Sequence, residues 1–240
     1  MSNTNSHGTP IQDAVALVTG GNRGFGRAMV QELLDRGAAK VYATSRSPQT
    51  PQDARIVPLV LDVADDRSVA AAARAADDVS IVVNNAGVLL RTPVLEAPLD
   101  DIRVELETNL FGIIRVARAF APALGRHPRS AMVNVLSVLS WLTFGGGYEI
   151  SKAAAWSATN SLRVRLREQG TTVTALHIAY MDTDMTSGLD VPKVDPREVA
   201  QQTAEAILAG EFEVLADETT RAVKSQLSGD LTALYPQLAA

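Results

Sequence analysis

VTGGNRGFGRAM, residues 18–29, joins two different patterns. Before it runs the short apolar stretch AVALV, 14–18; after it comes a window of helical spacing from Arg23 to Arg36 that stops at Gly37. A buried strand leading through a glycine turn into a helix is the opening of a βαβ unit. Gly20, Gly24 and Gly26 let the backbone turn tightly and approach a pyrophosphate, with Asn22, Arg23 and Phe25 interleaved in the same loop. The unpaired N–H groups and the dipole at a helix N-terminus favour that negative charge. The spacing G-x-x-x-G-x-G lacks the Lys followed by Ser or Thr that a P-loop needs, so a dinucleotide is favoured over a nucleoside triphosphate.

The alternation continues to the end of the chain. Further buried-strand runs are VYATS (41–45), IVPLVL (56–61), VSIVVN (79–84), AMVNVL (131–136) and TVTALHI (172–178), and EFEVLA (211–216) could be a seventh. Helical windows separate them at 67–76, 99–124, after Tyr148, and at 196–210, where Pro196 marks a start and Gly210 a stop. No repeat of 20 to 50 residues and no Gly/Ser/Pro linker divides the chain. The fold class is therefore α/β: one doubly wound parallel sheet with helices on both faces. Residues 1–10 read as a polar tail and 11–240 as one domain.

The cofactor's identity is written at the end of the second strand. An NAD site would place an acidic residue there for the ribose hydroxyls; this chain has Ser45 and Arg46. A guanidinium binds a 2′-phosphate through charge-assisted hydrogen bonds where a carboxylate would repel it, so NADP(H) is favoured, with Arg23 as a second phosphate ligand.

TGGNRGFG (19–26), NNAG (84–87) and YEISK (148–152), in that order, resemble the TGxxxGxG, NNAG and YxxxK motifs of the short-chain dehydrogenase/reductase family. The resemblance covers about residues 11–216. It implies a seven-stranded Rossmann-like fold, Asp62 and Val63 beside the adenine, and Asn85, Ala86 and Gly87 lining the cofactor cleft. Asn109, within ETNLFG, matches the family's helix asparagine that supports a water chain to the lysine. Met181 and Thr183 fall on the nicotinamide side, Thr183 matching the threonine that holds the carboxamide. The Pro-Gly pair common before that threonine is absent; Ile178-Ala179-Tyr180 stands there. The family also suggests a homodimer or homotetramer formed through 99–124 and 148–168.

Tyr148 and Lys152, four apart, share a helix face. A phenol is a poor acid-base group at its ordinary pKa, and bringing it toward 7 takes roughly 4 kcal/mol of preferential phenolate stabilisation, much of it available from an ammonium and an oxidised nicotinamide. In reduction Tyr148 would protonate the carbonyl oxygen while NADPH delivers hydride. Lys152 would hold the nicotinamide ribose and favour the tyrosinate. A serine would stabilise the same oxygen as charge develops. Ser137, at the end of the fifth strand in NVLS, is chosen over Ser140, which is read as a loop residue, although the loop to Tyr148 is about two residues shorter than usual. Trp141, Leu142, Phe144 and Tyr180 would surround the mouth, suggesting a small hydrophobic carbonyl or alcohol substrate, with core or subunit-interface packing as the alternative for these residues.

The remaining composition narrows the class. A net charge of −5 argues against a nucleic-acid surface. No window approaches a membrane-spanning length and the first dozen residues lack a secretory pattern, so a cytoplasmic protein is expected; the absence of cysteine rules out disulfides and thiol catalysis. No metal is expected, since His7, His127 and His177 have no nearby ligand cluster. The reading is an NADP(H)-dependent carbonyl reductase or alcohol dehydrogenase. Two alternatives stay open: a non-catalytic NADP(H)-binding sensor or scaffold, and an epimerase or dehydratase working on tightly bound cofactor.

Overall fold

The computed structural model describes residues 8–91 and 93–239. Seven strands form one sheet: β1 (Val15–Thr19), β2 (Lys40–Ser45), β3 (Ile56–Val60), β4 (Ile81–Asn84), β5 (Ser130–Val135), β6 (Thr171–His177) and β7 (Glu213–Leu215). Their order is β3-β2-β1-β4-β5-β6-β7, with every pairing parallel. The expected strand runs all fall on these elements.

Successive side chains of a strand point to opposite faces, and here both faces are buried, which is why the strands read as unbroken apolar runs. Ala16 and Val18 face one side, Leu17 the other; Val83 and Val133 share the first, Val82 and Met132 the second. On the first face lie α1 (Gly24–Asp35) and α6 (Pro196–Ala209), with Leu33 and Leu34 in one cluster with Ala204 and Ile207. On the second lie α2 (Asp66–Ala75), α4 (Gly112–Leu124) and α5 (Gly147–Leu166), where Val69, Val116, Phe120 and Leu166 meet. Phe120 is fully buried, and its truncation to Ala would cost about 3–5 kcal/mol.

Local chemistry sets the helix ends. Asp65 caps α2 by accepting the Arg67 N–H at 2.8 Å, and Asp195 caps α6 from Arg197 at the same distance. Pro196 opens α6 and Gly210, left-handed at φ 73°, closes it.

Three features depart from the expectation. The helical window 99–124 is not one helix: α3 (Leu99–Leu106) passes through a π turn, Glu107–Phe111, into α4. Two helices follow β7, α7 (Glu218–Gln226) and α8 (Leu231–Leu234). The fold also starts earlier than residue 11, since Thr9 is buried and its N–H donates to the Ile207 carbonyl at 2.9 Å; residues 1–7 of the expected tail lie outside the described residues.

The chain winds outward from β1 through β2 to β3, then returns to place β4 on the other side of β1. The loops leaving β1 and β4 therefore diverge, opening a crevice at the carboxyl ends of the strands, the usual ligand position in an open α/β sheet.

Candidate active site

The loop between β1 and α1 needs glycine for distinct reasons. Gly20 (φ +66°) and Gly24 (φ +52°) are left-handed. Gly26 is not, but a Cβ on it would lie 2.1 Å from the Gly20 carbonyl oxygen. Phe25 turns its side chain into the core, leaving only its backbone toward the crevice. Asn22 ties the loop to the end of β2, its amide donating to Ser45 Oγ at 2.8 Å and the Ser47 carbonyl at 3.1 Å. Arg46 is exposed just beyond Ser45, and exposed Arg23 lies 3.6 Å from Asp184. That surface pair contributes little to stability, leaving the Arg23 guanidinium free to exchange partners.

The NNAG turn is bolted to β1. The Asn85 and Ala86 N–H groups both donate to Thr19 Oγ1, at 2.8 and 2.9 Å, and the Asn85 amide donates to the Thr19 carbonyl at 2.8 Å. Asn84 bonds Asn134 on β5 at 2.8 Å, and Asn134 reaches Thr159 on α5 at 3.0 Å. Thr19, Asn84 and Asn134, each the first residue of a quoted motif, are thus structural members of the site, and Thr159 is one that lies in no motif. Asp62 accepts the Ala64 N–H at 3.0 Å in the turn after β3, and Val63 packs against Gly112, where a Cβ would come within 2.9 Å of its Cγ2.

The proposed reacting groups meet where β5 ends and α5 begins. Ser137 lies beside the Tyr148 hydroxyl, where it favours the phenolate; its Oγ donates to the Ile178 carbonyl at 3.4 Å and accepts the Leu139 N–H at 3.1 Å. Ser140 Oγ instead accepts the Ser137 N–H at 3.4 Å, capping a short 3₁₀ turn. Of the two serines, Ser137 therefore faces the phenol, even across the short loop. Lys152 Nζ donates to the Val135 carbonyl at 2.8 Å and lies 5.5 Å from the centre of the Tyr148 ring.

Electrostatics differ sharply between the two. Burial lowers Lys152 to about 8. Burial pushes the Tyr148 phenol well above its ordinary value; the neighbouring Ser137 hydroxyl works against this, and the negative charges of Glu105 and Glu149 add to it. Those carboxylates also strap the walls of the crevice. Glu105 accepts the Leu90 N–H at 2.8 Å and Glu149 the Phe144 N–H at 3.2 Å.

Asn109 sits in the π turn, fully buried, and clamps Val88 from both sides: its Oδ1 accepts the Val88 N–H and its amide donates to the Val88 carbonyl, each at 2.9 Å. The same amide reaches Ser151 Oγ at 2.9 Å, and Ser151 donates to the Tyr148 carbonyl at 2.7 Å. A Cβ on Gly87 would lie 3.1 Å from Asn109 Oδ1 and 3.9 Å from Lys152 Nζ, so the NNAG turn, π turn and α5 converge.

Thr183 meets the glycine loop directly, its Cγ2 3.3 Å from a Cβ position on Gly24. In place of the Pro-Gly pair, the backbone is held by other means: Ala179 N–H donates to Asp217 at 2.7 Å, and Met181, buried, bridges to Val194. At the mouth, Phe144 is 74% exposed, and Leu142 and Tyr180 are half-buried. Trp141 departs from the expectation: it is buried, with its ring stacked 3.9 Å from His177, because that packing removes more apolar surface from water than the mouth offers.

The family model for short chain dehydrogenases matches residues 14–192. The 1-deoxy-11-beta-hydroxypentalenate dehydrogenase of Streptomyces exfoliatus is 30% identical over 235 residues, covering 88% of this chain and 86% of its own. A short chain dehydrogenase from Burkholderia cenocepacia, solved in complex with NADP, superposes with a TM-score of 0.91 at 34% identity, covering 97% of this chain and 100% of that one. The NADPH-bound carbonyl reductase from chicken fatty liver gives 0.76 at 25% identity, with 82% and 91% covered.

Proposed function

The chain belongs to the short-chain dehydrogenase/reductase family, and on that footing we propose that it is an NADP(H)-dependent oxidoreductase interconverting a small hydrophobic ketone or aldehyde and its alcohol. The observation that carries the reading is Ser137 beside the Tyr148 hydroxyl, with Lys152 Nζ 5.5 Å from the centre of the ring, at the carboxyl end of the sheet.

The cofactor fits the residues present. The left-handed Gly20 and Gly24 and the α1 N-terminus suit a pyrophosphate, and Gly26 lets the helix start pack directly on the Gly20 carbonyl and the Asn85 amide. Arg46 and Arg23 suit a 2′-phosphate, and a relative of TM-score 0.91 was crystallised with NADP. When bound, NADPH supplies the hydride that a carbonyl carbon accepts.

The chain's own residues handle the oxygen and its proton. Ser137 donates a hydrogen bond to the substrate oxygen, which needs it more as negative charge develops. Tyr148, held protonated across neutral pH by its buried position, gives that oxygen a proton in reduction; in oxidation the phenolate takes it back. Lys152 holds the nicotinamide ribose and favours the phenolate. Asn109 keeps the crevice wall at Val88 in register with α5. Leu142, Phe144 and Tyr180, with Leu90 and Met185, favour an apolar substrate. Exposed Val104, Phe111, Ile150 and Val164 on α3 to α5 fit a subunit interface of a cytoplasmic homo-oligomer.

The test is nicotinamide absorbance with a panel of apolar ketones and aldehydes. Turnover with NADPH is expected; tight NADPH binding with no turnover on any member would overturn the reading.

A further inference from the structure

His177, the last residue of β6, is fully buried and lies 3.0 Å through Nδ1 from the Ser137 carbonyl oxygen. A carbonyl only accepts, so the proton is on Nδ1 and the ring is the neutral Nδ1–H tautomer. Burial, which holds this imidazole down at about 4, agrees with that charge state, and Nε2 has no partner among the described residues.

The ring is clamped. Trp141 stacks on it at 3.9 Å with 21° between the planes, Trp156 meets Trp141 edge-on at 6.0 Å, and Lys224 of α7 sits 4.8 Å above the Trp141 ring while paired to Glu213 at 2.7 Å. The Ser137 carbonyl takes one further bond, from the Ser140 N–H at 3.0 Å. Both of its lone pairs are therefore engaged, which fixes the peptide plane from which the Ser137 side chain projects. The end of β6 also touches the other end of the serine, since Ser137 Oγ donates to the carbonyl of Ile178, the next residue.

We propose that His177 is a positioning residue that acts through Ser137: its Nδ1–H holds the serine backbone so that the hydroxyl stays aimed at the Tyr148 hydroxyl and the substrate oxygen. This rests on the proposed function, in which Ser137 touches that oxygen.

The test is a double-mutant cycle read on kcat. His177→Phe keeps the aromatic stack and removes the donor, and is expected to lower kcat about 10- to 100-fold, the scale of a small misplacement of a reacting group, with NADPH affinity by fluorescence within about twofold of the parent. His177→Asn, whose side-chain amide can stand where Nδ1 stood, should recover most of the loss. On a Ser137→Ala background, His177→Phe should cost less than about twofold. An equal loss on both backgrounds, or no loss on the parent, overturns the proposal. A silent Ser137→Ala would instead overturn the proposed role of the serine, whereas an impaired Ser137→Ala with a silent His177→Phe overturns only the role of His177. Independently of any variant, two-bond ¹H–¹⁵N spectra of the parent protein should show His177 neutral with its proton on Nδ1. An Nε2–H tautomer would leave no donor for the Ser137 carbonyl and would overturn the proposal outright.

Discussion

Lys152 Nζ lies 5.5 Å from the centre of the Tyr148 ring, in a buried position where it donates to the Val135 carbonyl. Burial has brought the amine to about 8, against 10.5 for an unperturbed lysine, so the folded state binds its proton less tightly than the unfolded chain. The resulting cost to stability is full below pH 8 and fades as pH rises toward 10.5. Lys152→Met should abolish turnover and relieve that cost, partly offset by about 1–3 kcal/mol for the orphaned Val135 carbonyl. The stability of the variant relative to the parent should therefore fall by about 2–3 kcal/mol between pH 7 and pH 10. Tyr148 titrates in both proteins, so its contribution cancels. Urea unfolding of the two at both pH values measures this; a difference independent of pH would show that Lys152 is not strained by burial.

Tyr148→Phe keeps the half-buried ring and removes only the hydroxyl that meets Ser137. Loss of a positioned proton donor is expected to reduce kcat by about 10²- to 10⁴-fold. NADPH affinity, measured by fluorescence titration, should stay within a few fold. Retained activity would mean that another group protonates the substrate.

The sheet and the three motifs could be read from the sequence because their signals are local. A strand buried on both faces is an apolar run, and the Pro196 and Gly210 boundaries of α6 act through fixed backbone dihedrals. The choice of Ser137 over Ser140 came from the resemblance of NVLS to the family's strand-end motif, which is also a local pattern. What escaped depends on contacts distant in sequence. The π turn at Glu107–Phe111 exists where Asn109 reaches Val88 and Ser151, and a window of good helix formers gives no sign of it. Trp141 was expected at the mouth because its partners His177 and Trp156 lie far along the chain. Helix α7 buries only Thr220, too little for an apolar stripe to mark it.

Arg46→Asp addresses the cofactor. Arg46 is exposed at the carboxyl end of β2, next to the Ser45 hydroxyl that Asn22 bonds. A charge-assisted hydrogen bond to a 2′-phosphate is worth about 1.5–3 kcal/mol, so the variant should raise KM for NADPH about 10- to 100-fold. The KM for NADH, which has no 2′-phosphate, should change far less. Equal effects on the two cofactors would remove Arg46 from phosphate recognition.

The last prediction concerns the two buried carboxylates facing Tyr148. Glu105, itself raised by burial, and then Glu149 both oppose ionisation of the phenol. Neutralising Glu105 with Glu105→Gln keeps an acceptor for the Leu90 N–H and removes the charge. The phenol should then ionise at lower pH. Alcohol oxidation uses the phenolate, so the rising limb of log kcat/KM against pH should move to lower pH, while carbonyl reduction, which uses the phenol, should begin to fall at lower pH as well. Glu149→Gln should shift both limbs in the same direction by a smaller amount, because Glu105 is the larger influence on Tyr148. Profiles recorded in both directions for the three proteins decide it: limbs that stay fixed, or a larger shift from Glu149→Gln, would separate these carboxylates from the titration of Tyr148.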